Sequence, residues 1–323
     1  MHQITGKGLV GLLLALTTAI LWGILPIALK VLLDVLTANT ITFIRFLAAA
    51  VIVGLWLAAR GKLPSLALFK QTKITLLLLI AIAGLLSNYI MYLTGLEYLS
   101  AETGQTLIQL APFLMMIGGV YIFKESLLLW QKVGALVLVL GLLLFFNQRL
   151  VGMVSQVSGE TIGVLLIVAA AITWAAYALA QKQLLMHFSS KQIMYMLYFA
   201  GSLCFFPVSE FSPLQTMSVL HWSLLIFCCL NTVVAYGAFA EALHHWEASK
   251  VSAVLALTPL VTILAANIIA TIWPDFIQAQ HLNVWSWLGA LLVVTGSTLT
   301  ALAPQFVEYR AARRVRKLQR DVF

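Results

Sequence analysis

Glu102, Thr106 and Gln109 stand four and three residues apart with Gln105 adjoining, so a helix carries them along one face. Pro112 follows within a turn and lacks the N–H that would bond the carbonyl four residues back, which predicts a kink where the stripe ends. A polar face leading to a kink suits reversible binding of a hydrogen-bonding solute; bonding between helices is the competing use. Asn88, Tyr89 and Tyr92 lie in an earlier apolar run, Asn88 and Tyr92 on one face, and Asn231 and Tyr236 stand close together in a later one. Their amides and phenols could bond a solute's carboxylate, amine or hydroxyl, or could tie helices together. Trp22, Trp174 and Tyr177 lie deep in apolar runs, away from the interface where such residues collect. They offer flat surfaces to an apolar or cationic solute, or they pack.

Arg45 is the one cation inside an apolar run. Burying it in lipid costs about 2.5–3.5 kcal/mol on the insertion scale, so it snorkels outward, pairs with Asp34 or Glu97, or meets an anionic solute. Pro112 and Pro259 are candidate hinges, and Glu102 is the best candidate for coupling to protons. Glu97, Glu102 and Glu241 all fall toward the ends of their runs, and a path without a central carboxylate favours facilitated diffusion or weakly coupled export. Nothing calls for a cofactor or a metal. His244 and His245 are adjacent and so point to different helix faces, no HExxH spacing occurs, and Cys204, Cys228 and Cys229 all lie in apolar runs. An enzyme is therefore disfavoured.

The elements that hold these residues follow from hydrophobicity. Of 323 residues, 62% are hydrophobic and 9% charged, and mean hydropathy is +1.00. A soluble domain carries roughly a quarter charged residues, so this composition requires lipid as the solvent. Apolar stretches near 8–29, 37–59, 74–96, 101–122, 131–148, 160–181, 191–210, 219–241, 250–272 and 284–304 predict ten transmembrane helices. A net charge of +8 could suggest nucleic acid, but the cations occupy short loops and the tail, which is a signal of topology instead. With the N-terminus in the cytoplasm, Lys7, Arg60, Lys62, Lys70, Lys73, Lys124, Lys132, Lys182, Lys191, Lys250 and the cluster from Arg310 to Arg320 fall inside. Only Lys30 and Arg149 fall outside. This predicts a bacterial inner-membrane protein with both termini cytoplasmic.

The chain also repeats. Trp130, Gly134, Ala135, Leu136 and Gly141 recur at the same spacing as Trp285, Gly289, Ala290, Leu291 and Gly296. Ala111-Pro112 parallels Thr258-Pro259, and Trp22 parallels Trp174. Each match falls in the same ordinal span of its half. Five is an odd number, so the second half enters the membrane the opposite way, as an inverted repeat. The expected domains are residues 1–150 and 151–305, followed by a basic tail, 306–323. The fold class is an all-α integral membrane protein, with two inverted five-helix repeats around a central cavity. The glycine faces permit close packing within one chain or between two, which leaves oligomeric state open.

LWGILP at 21–26, Arg45-Phe46-Leu47-Ala48-Ala49-Ala50, Gly95-Leu96-x3-Ser100-Ala101, Ala111-Pro112 and Phe123-Lys124-Glu125-Ser126 resemble the EamA-like branch of the drug/metabolite transporter superfamily. Lys124 stands where that family usually has glycine. No arginine matches Arg45 in the seventh span, and Trp273-Pro274-Asp275 carries an insertion before the tenth. The resemblance implies ten helices around a central cavity and transport of amino acids or related metabolites, often outward. A sugar-phosphate or nucleotide-sugar antiporter of the same superfamily is the runner-up; it would want several cavity cations where only Arg45 is available. The expected partners are a small-molecule solute and the lipid bilayer.

Overall fold

The computed structural model describes residues 8–64, 71–124, 128–147, 158–245, 248–274 and 282–320. Lys7, Lys70, Glu125, Ser126, Arg149 and Asp275, with the last three residues of the tail, lie outside them. Every regular element among the described residues is helical. A lipid solvent requires this, because each backbone N–H and C=O must be satisfied within its own segment.

The helices are α1 (Gly8–Leu33), α2 (Ala38–Ala59), α3 (Thr72–Tyr98), α4 (Ala101–Leu107), α5 (Leu110–Phe123) and α6 (Leu129–Phe145). Then come α7 (Gly159–Leu184), α8 (Ser190–Phe205), α9 (Val219–His245), α10 (Ala248–Leu255), α11 (Thr258–Ile272) and α12 (Val284–Arg320). Hydroxyl caps mark several starts. The side chains of Thr37, Ser100, Ser158 and Ser189 accept from the backbone N–H three residues on, opening α2, α4, α7 and α8.

Among the described residues eight apolar helical stretches are long enough to cross a membrane, with α4–α5 and α10–α11 each counting as one. Two of the ten predicted spans fall short. α6 has 17 residues and α8 has 16, roughly 24–26 Å at 1.5 Å per residue against a hydrocarbon core of about 30 Å. Polar and proline residues set these limits. Asn147 ends α6 by exchanging side-chain bonds with Asn283 (3.2 and 3.3 Å), and Pro207 turns α8 into a 3₁₀ segment at Phe206–Val208.

The helices pack in pairs: α1 with α9, α3 with α7, α2 with α8, and α6 with α12. The short α4 lies on α11, while α5 lies on α7 and α11 on α1. The α6–α12 contact brings backbone against backbone. A Cβ on Gly141 would stand 2.6 Å from the Val293 nitrogen, and one on Gly289 only 2.3 Å from the Phe145 nitrogen. Both glycine faces are thus consumed within the chain, which removes the between-chain use that their spacing left open.

Large apolar side chains cover the outer surface, among them Leu13, Leu55, Leu76, Leu79, Leu165, Ile172, Leu230 and Ile268. Water would not tolerate such a surface; the tails of a bilayer would. The interior holds aromatic and small residues, densest between α2, α3, α7 and α8 around Phe46, Tyr89, Tyr177 and Tyr198.

Candidate functional site

The predicted kinks are complete breaks. The fourth span divides at Ile108–Gln109 and the ninth at Ala256–Leu257. Each break lies just before its proline, as the missing N–H demands. The Ile108 carbonyl, which Pro112 cannot serve, accepts from Ala111 N at 2.9 Å. The Leu255 carbonyl, which Pro259 cannot serve, accepts from the Thr258 hydroxyl. The two halves of the chain thus carry matched interruptions, repaired by local bonds at each.

Residues on several helices meet inside the bundle. The Trp22 ring lies 5.2 Å edge-on from Tyr236 and 5.7 Å from Phe239. Tyr236 lies close to Tyr89, which packs on Phe46 with centroids 4.6 Å apart. The Arg45 guanidinium sits 4.9 Å above the Tyr89 ring, and its Nε donates to Thr232 Oγ1 at 3.1 Å. The result is a continuous aromatic wall from α1 through α9 and α3 to α2, with one cation on it.

The two asparagines share a mode. Asn88 Nδ2 donates to the Ala170 carbonyl on α7 at 2.9 Å, and Asn231 Nδ2 to the Leu21 carbonyl on α1 at 2.7 Å. Each holds the helix that bears a deep tryptophan, Trp174 or Trp22. Both are buried, and the Asn231 Oδ1 has no hydrogen-bond partner. A buried orphan acceptor costs about 1–3 kcal/mol and is a ready seat for a donor on a solute.

The α4 face is wholly buried. Tyr92 donates to Gln105 Oε1 at 3.1 Å, Thr106 turns back to the Glu102 carbonyl at 2.7 Å, and Gln109 lies at the break. Glu102 occupies the first turn of its helix at 1% exposure.

Of the residues singled out by sequence, Trp22, Tyr236 and Asn231 come together on α1 and α9, and Tyr92 and Gln105 come together between α3 and α4. Trp174 packs on Tyr177 (6.2 Å), whose hydroxyl bonds the Met194 sulfur (3.3 Å), so this pair joins the packed interior of α7 and α8. Arg45 neither snorkels nor pairs with the acids suggested for it: Asp34 and Glu97 are exposed, while Arg45 is 3% exposed. Lys30 is no loop cation; from α1 its Nζ donates to the Leu96 and Glu97 carbonyls at 2.5 and 3.0 Å. It thereby caps the C-terminal end of α3.

Sequence reading passed over Tyr198 and Thr232, quoted Phe46 only within the family motif, and offered Tyr89 without a face or a partner. Tyr89 adjoins Asn88, but one residue turns a helix by 100°, and the face that meets Arg45 is known only once α2 and α9 are in place. His245 pairs with Glu241 at 3.3 Å, one turn apart on α9.

Comparison with known proteins adds three results. The sequence model of the EamA-like transporter family matches residues 9–147 and again residues 161–302. "Uncharacterized inner membrane transporter YhbE" of Escherichia coli (strain K12) is 43% identical over 91% of each chain, and an "Uncharacterized transporter" of Haemophilus influenzae is 41% identical over 94% of this chain and 98% of the relative. A "Probable amino-acid metabolite efflux pump" of Salmonella typhimurium is 23% identical over 88% of this chain and 92% of its own. One solved structure, 16% identical, superposes over 95% of this chain with a TM-score of 0.62, which supports the fold alone.

Proposed function

The chain belongs to the EamA-like transporter family and is a membrane transporter, and from that premise we propose that it is an alternating-access carrier of small organic metabolites, chiefly amino acids or related compounds, directed outward. The observation that carries the reading is the pairing of helices. If each half contributes five spans, α1 with α9 is span one with span eight, and α3 with α7 is span three with span six; exchanging the halves turns one pair into the other. The pairs α2–α8 and α6–α12 and the contact of α4 with α11 turn into themselves under the same exchange. The twofold match to the family and the matched proline breaks support the same ten-span inverted repeat. Two halves that can trade conformations yield two states of similar energy, open to opposite sides.

Trp22, Tyr236, Asn231, Gln105, Gln109 and Tyr92 are the proposed solute contacts, and the breaks at Pro112 and Pro259 the hinges. Asn88, Trp174 and Tyr177 hold the second tryptophan-bearing helix against α3 and α8. Arg45 and Glu102 are the charged groups on the path. The distribution of cations supports a cytoplasmic location for both termini.

Counterflow in proteoliposomes tests the reading. Vesicles loaded with a mixture of unlabelled amino acids should accumulate at least one labelled amino acid transiently, above protein-free vesicles. No accumulation across the twenty amino acids and their simple derivatives would remove the substrate class. Flux driven strictly by a pH gradient would replace facilitated or weakly coupled movement with proton coupling through Glu102.

A further inference from the structure

We propose that Arg45 anchors an anion subsite, holding the carboxylate of an organic acid or zwitterion by its two Nη groups. The inference rests on the transport reading above and names the chemical end of the solute that the protein grips.

The guanidinium is fixed from two directions. Its Nε bonds Thr232 Oγ1 at 3.1 Å. The Thr232 hydroxyl has one proton and spends it on the Cys228 carbonyl at 2.8 Å, so toward Arg45 it can only accept. One face of the guanidinium lies on Tyr89, itself flanked by Phe46 and Tyr236. Rotation about the last bonds of the side chain is thereby blocked. Arginine has five N–H donors, and the Nε bond uses one. The Nη pair is the edge that fits a carboxylate in two parallel bonds.

Among the described residues no carboxylate forms an ion pair with Arg45, although it is 3% exposed and seven residues below the start of α2, about 10 Å into the span. A buried cation without an ion pair is costly in lipid. A group selected only to bind three helices together would do so more cheaply as a neutral amide. The charge is explained if the carrier meets its anion in transit, when one half rocks away and the Nη edge is uncovered. A pre-oriented fork then meets the carboxylate without a further ordering cost.

The test uses the full-length protein in detergent and a thermal-shift panel of acids paired with their amides: phenylalanine with phenylalaninamide, phenylacetate with phenylacetamide, leucine with leucinamide. In the wild type at least one acid should raise the melting temperature by 2 °C or more beyond its amide. Arg45→Gln should erase that difference while its ligand-free melting stays within a few degrees. Thr232→Val, which frees the fork to rotate, should shrink the difference and serves as the second variant if Arg45→Gln does not fold. Equal effects of acid and amide on the wild type, or a preference that survives in Arg45→Gln or, where that variant does not fold, in Thr232→Val, overturn the subsite. If neither acids nor amides bind but counterflow still reveals a transported amino-acid derivative, the subsite falls and the transport reading stands. If counterflow reveals none, the transport reading falls and takes the subsite with it.

Discussion

Replacing Asn231 by leucine separates stability from transport. Asn231 makes one bond, from Nδ2 to the Leu21 carbonyl, and leaves Oδ1 buried without a donor. A side-chain bond inside a membrane protein averages about 0.6 kcal/mol and reaches about 1.7. An unsatisfied buried acceptor costs about 1–3 kcal/mol. Leucine removes both at similar volume, so by the difference of those ranges the variant should lie between roughly 0.7 kcal/mol less stable and roughly 2.4 kcal/mol more stable. At about 2–4 °C per kcal/mol the melting temperature should fall by no more than about 3 °C and rise by up to about 10 °C. If the idle Oδ1 exists to receive a donor on the solute, flux should fall at least tenfold in the same variant. The assay is a melting curve in detergent beside counterflow in liposomes, from one preparation. A variant that melts 5 °C lower would show that the interhelical bond outweighs the orphan acceptor, and undiminished flux would remove Asn231 from the solute path.

Trp22→Ala and Gln109→Ala should each abolish counterflow while expression is preserved; normal transport in both would exclude the α1–α4 face as the solute path. Gly289→Leu should destabilise by about 1–3 kcal/mol or more, because its Cβ would stand 2.3 Å from the Phe145 nitrogen; a melting temperature equal to wild type would mean that α6 and α12 do not cross there. Lys30→Met removes the bonds that close α1 onto the end of α3. With Cys204, Cys228 and Cys229 replaced by serine or alanine, a cysteine placed at buried Ala101 should then react several-fold faster with an impermeant thiol reagent. Equal rates would show that Lys30 does not seal that end.

Much of the architecture was legible in the chain, because lipid leaves few choices. A helix in hydrocarbon must be apolar for about 20 residues, so the place of each span is written in composition. The repeat was legible because matched Trp, Pro and Gly positions fall in order through both halves. Prolines announced the interruptions at Pro112 and Pro259, since a missing N–H acts locally. Two short helices were not legible as short. Their apolar runs look continuous, and it is the Asn147–Asn283 pairing and the turn at Pro207 that end them.

Partners across the bundle were decided by tertiary structure alone. Asn88 and Tyr89 are neighbours in sequence, yet one bonds α7 and the other carries Arg45. A sequence specifies the angle between them, but which helix waits at each angle depends on how the helices settle together. Thr232 is one of many threonines until α9 brings it to Arg45. The glycines could have served two chains as readily as one until α6 met α12 backbone to backbone. Hydrophobicity and the missing proline N–H act within a few residues and can be read in one dimension. Hydrogen bonds between helices and the fate of a buried charge depend on atoms distant in sequence, and only the packed bundle assigns them.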